Sequence, residues 1–106
     1  MRLLEHGPEG YVAYDTLCHR YEVAFHTTLL TYADSDLHVM VNSMSAQLRR
    51  CAGCVCPRRK LFYLRTHDEA IGMAISFAEM QGLVDMIEEA LMTRAVQEVM
   101  EDLDRD

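Results

Sequence analysis

Two segments in the first third of the chain have the residue pattern of β-strands. Tyr11–Asp15 is rich in the β-branched and aromatic residues that favour a strand. After a turn at residues 18–20, Tyr21–His26 places its apolar side chains on one face, which predicts a second strand. Thr28–Leu30 either extends this hairpin or adds a short third strand. Residues 1–10 are interpreted as a short polar lead.

The apolar spacing then changes to three and four residues, which predicts a helix. Thr31 and Asp34 resemble a capping box, in which side chains at the helix start bond to free backbone N–H groups. The helix should end near Arg50, because basic residues are stabilised at a helix C-terminus, and the Ala52-Gly53 step breaks it. Its predicted buried face consists of Leu37, Met40, Val41, Met44 and Leu48.

The second half of the chain shows a similar order of elements. Lys60–Arg65 and Ala70–Ile75 are predicted strands, joined by a polar turn at Thr66–Glu69. Ser76 and Glu79 form a Ser-x-x-Glu capping box for a helix that runs to about Leu103. The predicted buried side of this helix carries Met80, Val84, Ile87 and Leu91.

Two strand–strand–helix units with a common start signal indicate an internal duplication, with half-repeats at about residues 10–50 and 58–106. A chance match of the short Ser/Thr-x-x-acid signal is the alternative. The length of 106 residues is typical of one domain. The predicted fold is therefore α+β: a single domain, residues 1–106, with an antiparallel sheet of four to five strands and two long helices on one face.

Three stretches of the chain resemble an uncharacterised family of small bacterial proteins with a duplicated strand–strand–helix plan. They are Gly10–Val12, Cys18–Thr27 and Ile75–Glu79. Members of that family carry a Cys-x-x-Cys pair before an apolar strand of Phe-Gly-Asn type. Asp15 stands where the family has the first cysteine, and His26-Thr27 replaces Gly-Asn. The resemblance implies the fold plan and supplies no activity.

The charge balance changes the range of partners to expect. The net charge is −7 and the pI is about 5.1, so nucleic acid and anionic membranes are disfavoured as general partners. No apolar run approaches a membrane span and no signal peptide is evident, so we expect a cytoplasmic location. A local anion-binding patch remains open, since half of the basic residues cluster in twelve positions: Arg49, Arg50, Arg58, Arg59 and Lys60.

The cysteines are the main candidates for chemistry. Cys51, Cys54 and Cys56 form a Cys-x-x-Cys-x-Cys knuckle, a spacing that suits structural zinc, and Cys18 or His19 would complete the site. Redox activity is a second interpretation, because the neighbouring arginines would stabilise thiolates. The third is a cysteine-rich connector without a ligand. Zinc is thus the one candidate cofactor.

No catalytic constellation is recognisable. The other histidines are scattered, and no phosphate loop or nucleophile elbow is present. We expect a non-enzymatic binding or regulatory module that acts through its helix faces or as a homodimer, with another protein or a second copy as partner. The alternative is a small zinc-binding protein whose adjacent basic patch contacts RNA or another anion.

Overall fold

The computed structural model describes residues 1–51, 60–65 and 72–104. A four-stranded antiparallel sheet precedes the first helix, and a two-stranded antiparallel sheet precedes the second. The elements in chain order are β1 (Arg2–Gly7), β2 (Gly10–Asp15), β3 (Arg20–Phe25), β4 (Thr28–Ala33), α1 (Asp34–Cys51), β5 (Lys60–Arg65), β6 (Gly72–Ser76) and α2 (Phe77–Asp104).

Strand β1 shows that the interpretation of residues 1–10 as a polar lead was wrong. The strand pairs along its length with β2, and its register shifts between Leu3 and Glu5. This bulge turns Leu4 into the core, where it is buried, and leaves Leu3 exposed. The bulge interrupts the period-two pattern, so the strand has no clear alternation in the sequence.

Strands β2, β3 and β4 form a regular meander whose inner face is apolar and aromatic. Val12 pairs with Val23, which pairs with Leu30, and the next layer joins three tyrosines in the same way: Tyr14, Tyr21 and Tyr32. All six side chains are buried. The predicted strands Tyr11–Asp15 and Tyr21–His26 are confirmed as β2 and β3, except that β3 begins at Arg20 and ends at Phe25, and His26 lies in the turn to β4 with a φ of 53°. Of the two alternatives for Thr28–Leu30, the separate strand is the one present, and it runs on to Ala33.

The start of α1 differs from the prediction. Thr31, which was expected to cap the helix, belongs to β4 and pairs with Glu22 of β3. The helix begins at Asp34 and ends at Cys51, close to the predicted end. Its predicted stripe is confirmed, because Leu37, Val41, Met44 and Leu48 are all buried. The predicted break at residues 52–53 lies outside the described residues.

In the second half, the capping box at the start of α2 is confirmed in both directions. The Glu79 backbone N–H donates to the Ser76 hydroxyl at 3.1 Å, and the Ser76 N–H donates to Glu79 Oε1 at 3.0 Å. Strand β5 has the predicted bounds. Strand β6 begins at Gly72 and ends at Ser76, and the predicted turn at 66–69 lies outside the described residues.

Helix α2 joins the two sheets. It contacts β1 and β2 of the larger sheet, β5 and β6 of the smaller one, and α1. Met80, Leu83 and Ile87 are almost completely buried in the shared apolar core. The α+β class and a four-stranded antiparallel sheet are thus confirmed, while β5 and β6 pair only with each other among the described strands. The duplication stays a prediction, since four strands precede α1 and two precede α2.

Candidate functional site

Arg94 is a charged residue in the core-facing side of α2. Only 9% of its side chain is exposed, and its guanidinium carbon lies 4.3 Å from the centre of the Tyr14 ring. Its Nη1 is 3.2 Å from Glu101 Oε1, and its Nε is 3.4 Å from Glu98 Oε1. Burial alone would lower the Arg94 pKa, but the hydrogen bond and charge of Glu101 outweigh it and raise the pKa. The arginine therefore stays charged and fixes the C-terminal half of α2 to the sheet.

A small cavity of about 110 Å³ lies beside this arginine, between α1, α2 and the inner face of the sheet. Asp34 and His38 of α1 line it, 3.6 Å apart at Oδ1 and Nε2. Tyr21 closes one side and packs against Tyr14, with the ring centres 4.8 Å apart and the ring planes tilted by 51°. Burial, followed by the charge of Asp34, raises the pKa of Tyr21, so the phenol stays neutral.

His26 forms a second polar contact at the opposite end of β2. Its Nε2 lies 2.9 Å from Glu79 Oε2 and 3.6 Å from Glu9 Oε2, and its backbone N–H donates to the Glu9 carbonyl at 2.8 Å. The contact therefore links the β1–β2 turn, the β3–β4 turn and the first turn of α2. An open cleft of about 240 Å³ lies next to it, lined by Phe25, Thr28, Met73 and Ile75.

These contacts hold elements of the fold together. The Ser76 hydroxyl beside Glu79 already accepts the Glu79 N–H in the helix cap. Within the described part of the chain, no group of three histidine, cysteine, aspartate or glutamate residues has the geometry of a metal site. The sequence gives no sign of this contact, because the carboxylate partners of His26, Glu9 and Glu79, are distant in the chain.

The outer side of α2 carries an exposed apolar surface, which we call the outer stripe. Its members are between 59% and 67% exposed: Met92, Val96, Val99, Met100 and Leu103. Met92, Val96, Val99 and Leu103 follow one another at steps of four, three and four residues, which keeps them on one face of the helix. Met100 adjoins Val99, and the buried residues Ala90 and Arg94 lie on the opposite face. The sequence predicted the length of this helix but not this face. The signal was present, as a second apolar series out of phase with the buried one.

The predicted metal and anion residues fall mostly at the join between the halves. Cys54, Cys56, Arg58 and Arg59 lie outside the described residues. The predicted strand containing Lys60 is confirmed as β5, and Arg49 and Arg50 occupy the last turn of α1.

Cys51 is partly buried against the core at the end of α1, whereas Cys18 is exposed in the β2–β3 turn. Arg20, the first residue of β3, pairs with Ala33, which directly precedes α1. Because an 18-residue helix is about 27 Å long, Cys18 and Cys51 lie near opposite ends of α1.

No family model matches the chain, and no curated protein or solved structure shows significant similarity to it. The function of the protein is therefore inferred from its own surfaces. Within the described residues, no helix is long and apolar enough to cross a membrane.

Proposed function

We propose that this protein is a non-enzymatic binding module whose contact surface is the outer stripe of α2. The observation that carries the proposal is the exposure of five apolar side chains on three successive turns of one helix. Single exposed apolar residues are ordinary on a protein surface, whereas contiguous patches mark interaction sites. The partner that fits a narrow stripe of this kind is another amphipathic helix.

The spacing of the stripe supports a helix as partner. Met92, Val96, Val99 and Leu103 follow the alternating steps of four and three that form the seam of a coiled coil. Such residues insert between the side chains of a facing helix. A homodimer, in which α2 of a second copy provides that helix, is one form of this module.

The buried side of α2 supports the same proposal, because it holds the stripe in a fixed position. Arg94 anchors the helix to Tyr14, and Arg2 of β1 lies 3.7 Å from Glu101 at the far end. A binding face on an anchored helix loses little conformational entropy when a partner binds. The stripe is therefore preorganised for contact.

The test compares the stripe with an equally exposed residue elsewhere. Val96→Ser/Val99→Ser removes the centre of the stripe, and Val39→Ser on α1 is the matched control, since Val39 is 69% exposed. Sedimentation velocity over a dilution series measures self-association, and fluorescence anisotropy measures binding of a designed peptide helix with leucine at the seam positions. We expect the double variant to lose whichever of these associations the unaltered protein shows, and the control to retain it. If neither association occurs, or neither depends on the stripe, the proposal is wrong.

The alternative is a small zinc-binding protein that uses Cys51, Cys54 and Cys56. The sequence spacing and the position of Cys51 at the end of α1 support it. Elemental analysis of the purified protein tests it, with Cys51→Ser/Cys54→Ser as the comparison. Stoichiometric zinc that disappears in the variant supports this function, and a metal-free protein with an unchanged melting temperature in the variant rejects it.

A further inference from the structure

We propose that the outer stripe of α2 receives a basic amphipathic helix of another protein in preference to α2 of a second copy. This inference rests on the proposed function, because it names the partner of the same surface. The stripe is apolar, but nearly all of the charged residues that surround it are acidic.

Helix α2 contains eight acidic residues and one basic residue between Phe77 and Asp104. The basic residue, Arg94, is buried and already contacts Glu98 and Glu101. Glu88 and Glu89 precede Met92 by four and three residues, so they extend the face of the stripe towards the N-terminus. At the other end of the stripe, Asp104 follows Leu103 and is itself followed by Arg105 and Asp106 in the sequence. An approaching helix therefore meets negative charge at both ends of the apolar surface.

A second copy would bring this negative charge against itself. In a parallel pair of α2 helices, Glu88 and Glu89 face the same residues of the partner. In an antiparallel pair they face the end that carries Asp104. Like charges that flank a helical seam oppose pairing in either orientation.

The apolar contact area of the stripe is small, so this repulsion has an important effect on the affinity. Five side chains that are roughly two-thirds exposed offer on the order of 500 Å² per partner, against about 800 Å² in a standard stable interface. The affinity therefore depends on what surrounds the stripe. Lysine or arginine at the flanking positions of a partner helix would convert the acidic border from a repulsive into an attractive feature.

The experiment uses two designed peptides with the same leucine seam. One carries lysine at the positions that flank the seam and the other carries glutamate. Binding to the full chain is measured by fluorescence anisotropy at about 0.05 M and about 0.5 M NaCl, a range over which exposed charges become strongly screened. We expect the lysine peptide to bind at least about tenfold more tightly at low salt, and to lose most of that advantage at high salt.

Two pairs of variants show where binding occurs. Val96→Ser/Val99→Ser should abolish binding of the lysine peptide. Glu88→Gln/Glu89→Gln should weaken it by about threefold and reduce its salt dependence. The control for the second pair is Glu5→Gln/Glu22→Gln, which removes the same charge from the larger sheet and should have no such effect.

The results separate the inference from the proposed function. Equal binding of both peptides through the stripe overturns the basic partner and leaves the binding module intact. A homodimer that requires Val96 and Val99, and that tightens as salt screens its acidic border, identifies a second copy instead. Lysine-peptide binding that survives the Val96→Ser/Val99→Ser change is non-specific attraction to an acidic protein and also overturns the inference.

Discussion

Arg94 occupies a position that apolar residues fill in the preceding turns of α2. Its guanidinium lies over the Tyr14 ring, its side chain is buried, and its charge faces Glu98 and Glu101 at the edge of the core. Both carboxylates are substantially exposed, so water can hydrate them if the arginine is removed. The packing of the side chain should therefore matter more for stability than its charge.

We expect Arg94→Ala to lower the free energy of unfolding by about 2–4 kcal/mol, because it removes the stem from the core and leaves a cavity over Tyr14. Arg94→Met keeps most of that volume and should cost about 1 kcal/mol or less, since an apolar residue can replace a buried ion pair. Urea unfolding followed by circular dichroism measures both. Equal losses in the two variants would show that the ion pairs dominate.

At this scale, the sequence revealed the apolar core well and the polar contacts poorly. Leu37, Val41, Met44 and Leu48 were identified because burial on a helix leaves a periodic pattern. Arg94 was missed because a charged residue normally indicates solvent. The partners of His26 were missed because Glu9 and Glu79 come from different turns of the fold, and no local pattern connects them.

At the scale of elements, the features that arise from a few neighbouring residues could be predicted from the sequence. The features that depend on residues far away in the chain could not. The Ser76–Glu79 capping box is a four-residue feature, and both of its bonds are present. Strand β1 exists because β2 provides its hydrogen-bond partners, and its bulge obscures its own alternation. At Thr31 a distant partner also decides the structure, because Thr31 pairs with Glu22 in the sheet although the local sequence predicts a helix cap.

Gly82 lies inside α2, where glycine is a poor helix former. Among the residues that the structure describes, a Cβ atom at this position would meet only Glu9 Oε2, at 3.9 Å, which is an ordinary contact. We therefore expect Gly82→Ala to stabilise the protein by about 1 kcal/mol. The matched control is Gly10→Ala in β2, where a Cβ would overlap the backbone carbonyl of Ala24. That change should destabilise the fold. Thermal unfolding of both variants checks the prediction, and a destabilised Gly82→Ala protein would contradict it.

At the scale of the whole molecule, α2 packs against both sheets and so connects them. Its buried side closes the core between them, while its outer stripe remains exposed. The sequence predicted four to five strands in a single sheet, but it contained no information on which strand edges meet. Hydrogen-bond pairing between distant strands depends on the tertiary arrangement, so β5 and β6 were placed in the wrong sheet.

The contact between His26 and Glu79 connects the larger sheet directly to the start of α2, and it should be energetically coupled. A double-mutant cycle with His26→Asn and Glu79→Gln measures this coupling. Asparagine tolerates the positive φ of His26, and glutamine keeps the capping box, so both changes preserve the backbone. We expect a coupling of about 0.5 kcal/mol, since His26 is half exposed.

The control cycle replaces the exposed His6 by asparagine in place of His26, and it should show no coupling with Glu79→Gln. A cycle without coupling would mean that this contact contributes nothing to the attachment of α2 to the four-stranded sheet. In that case the β3–β4 turn would be free to change without affecting the helix that carries the outer stripe.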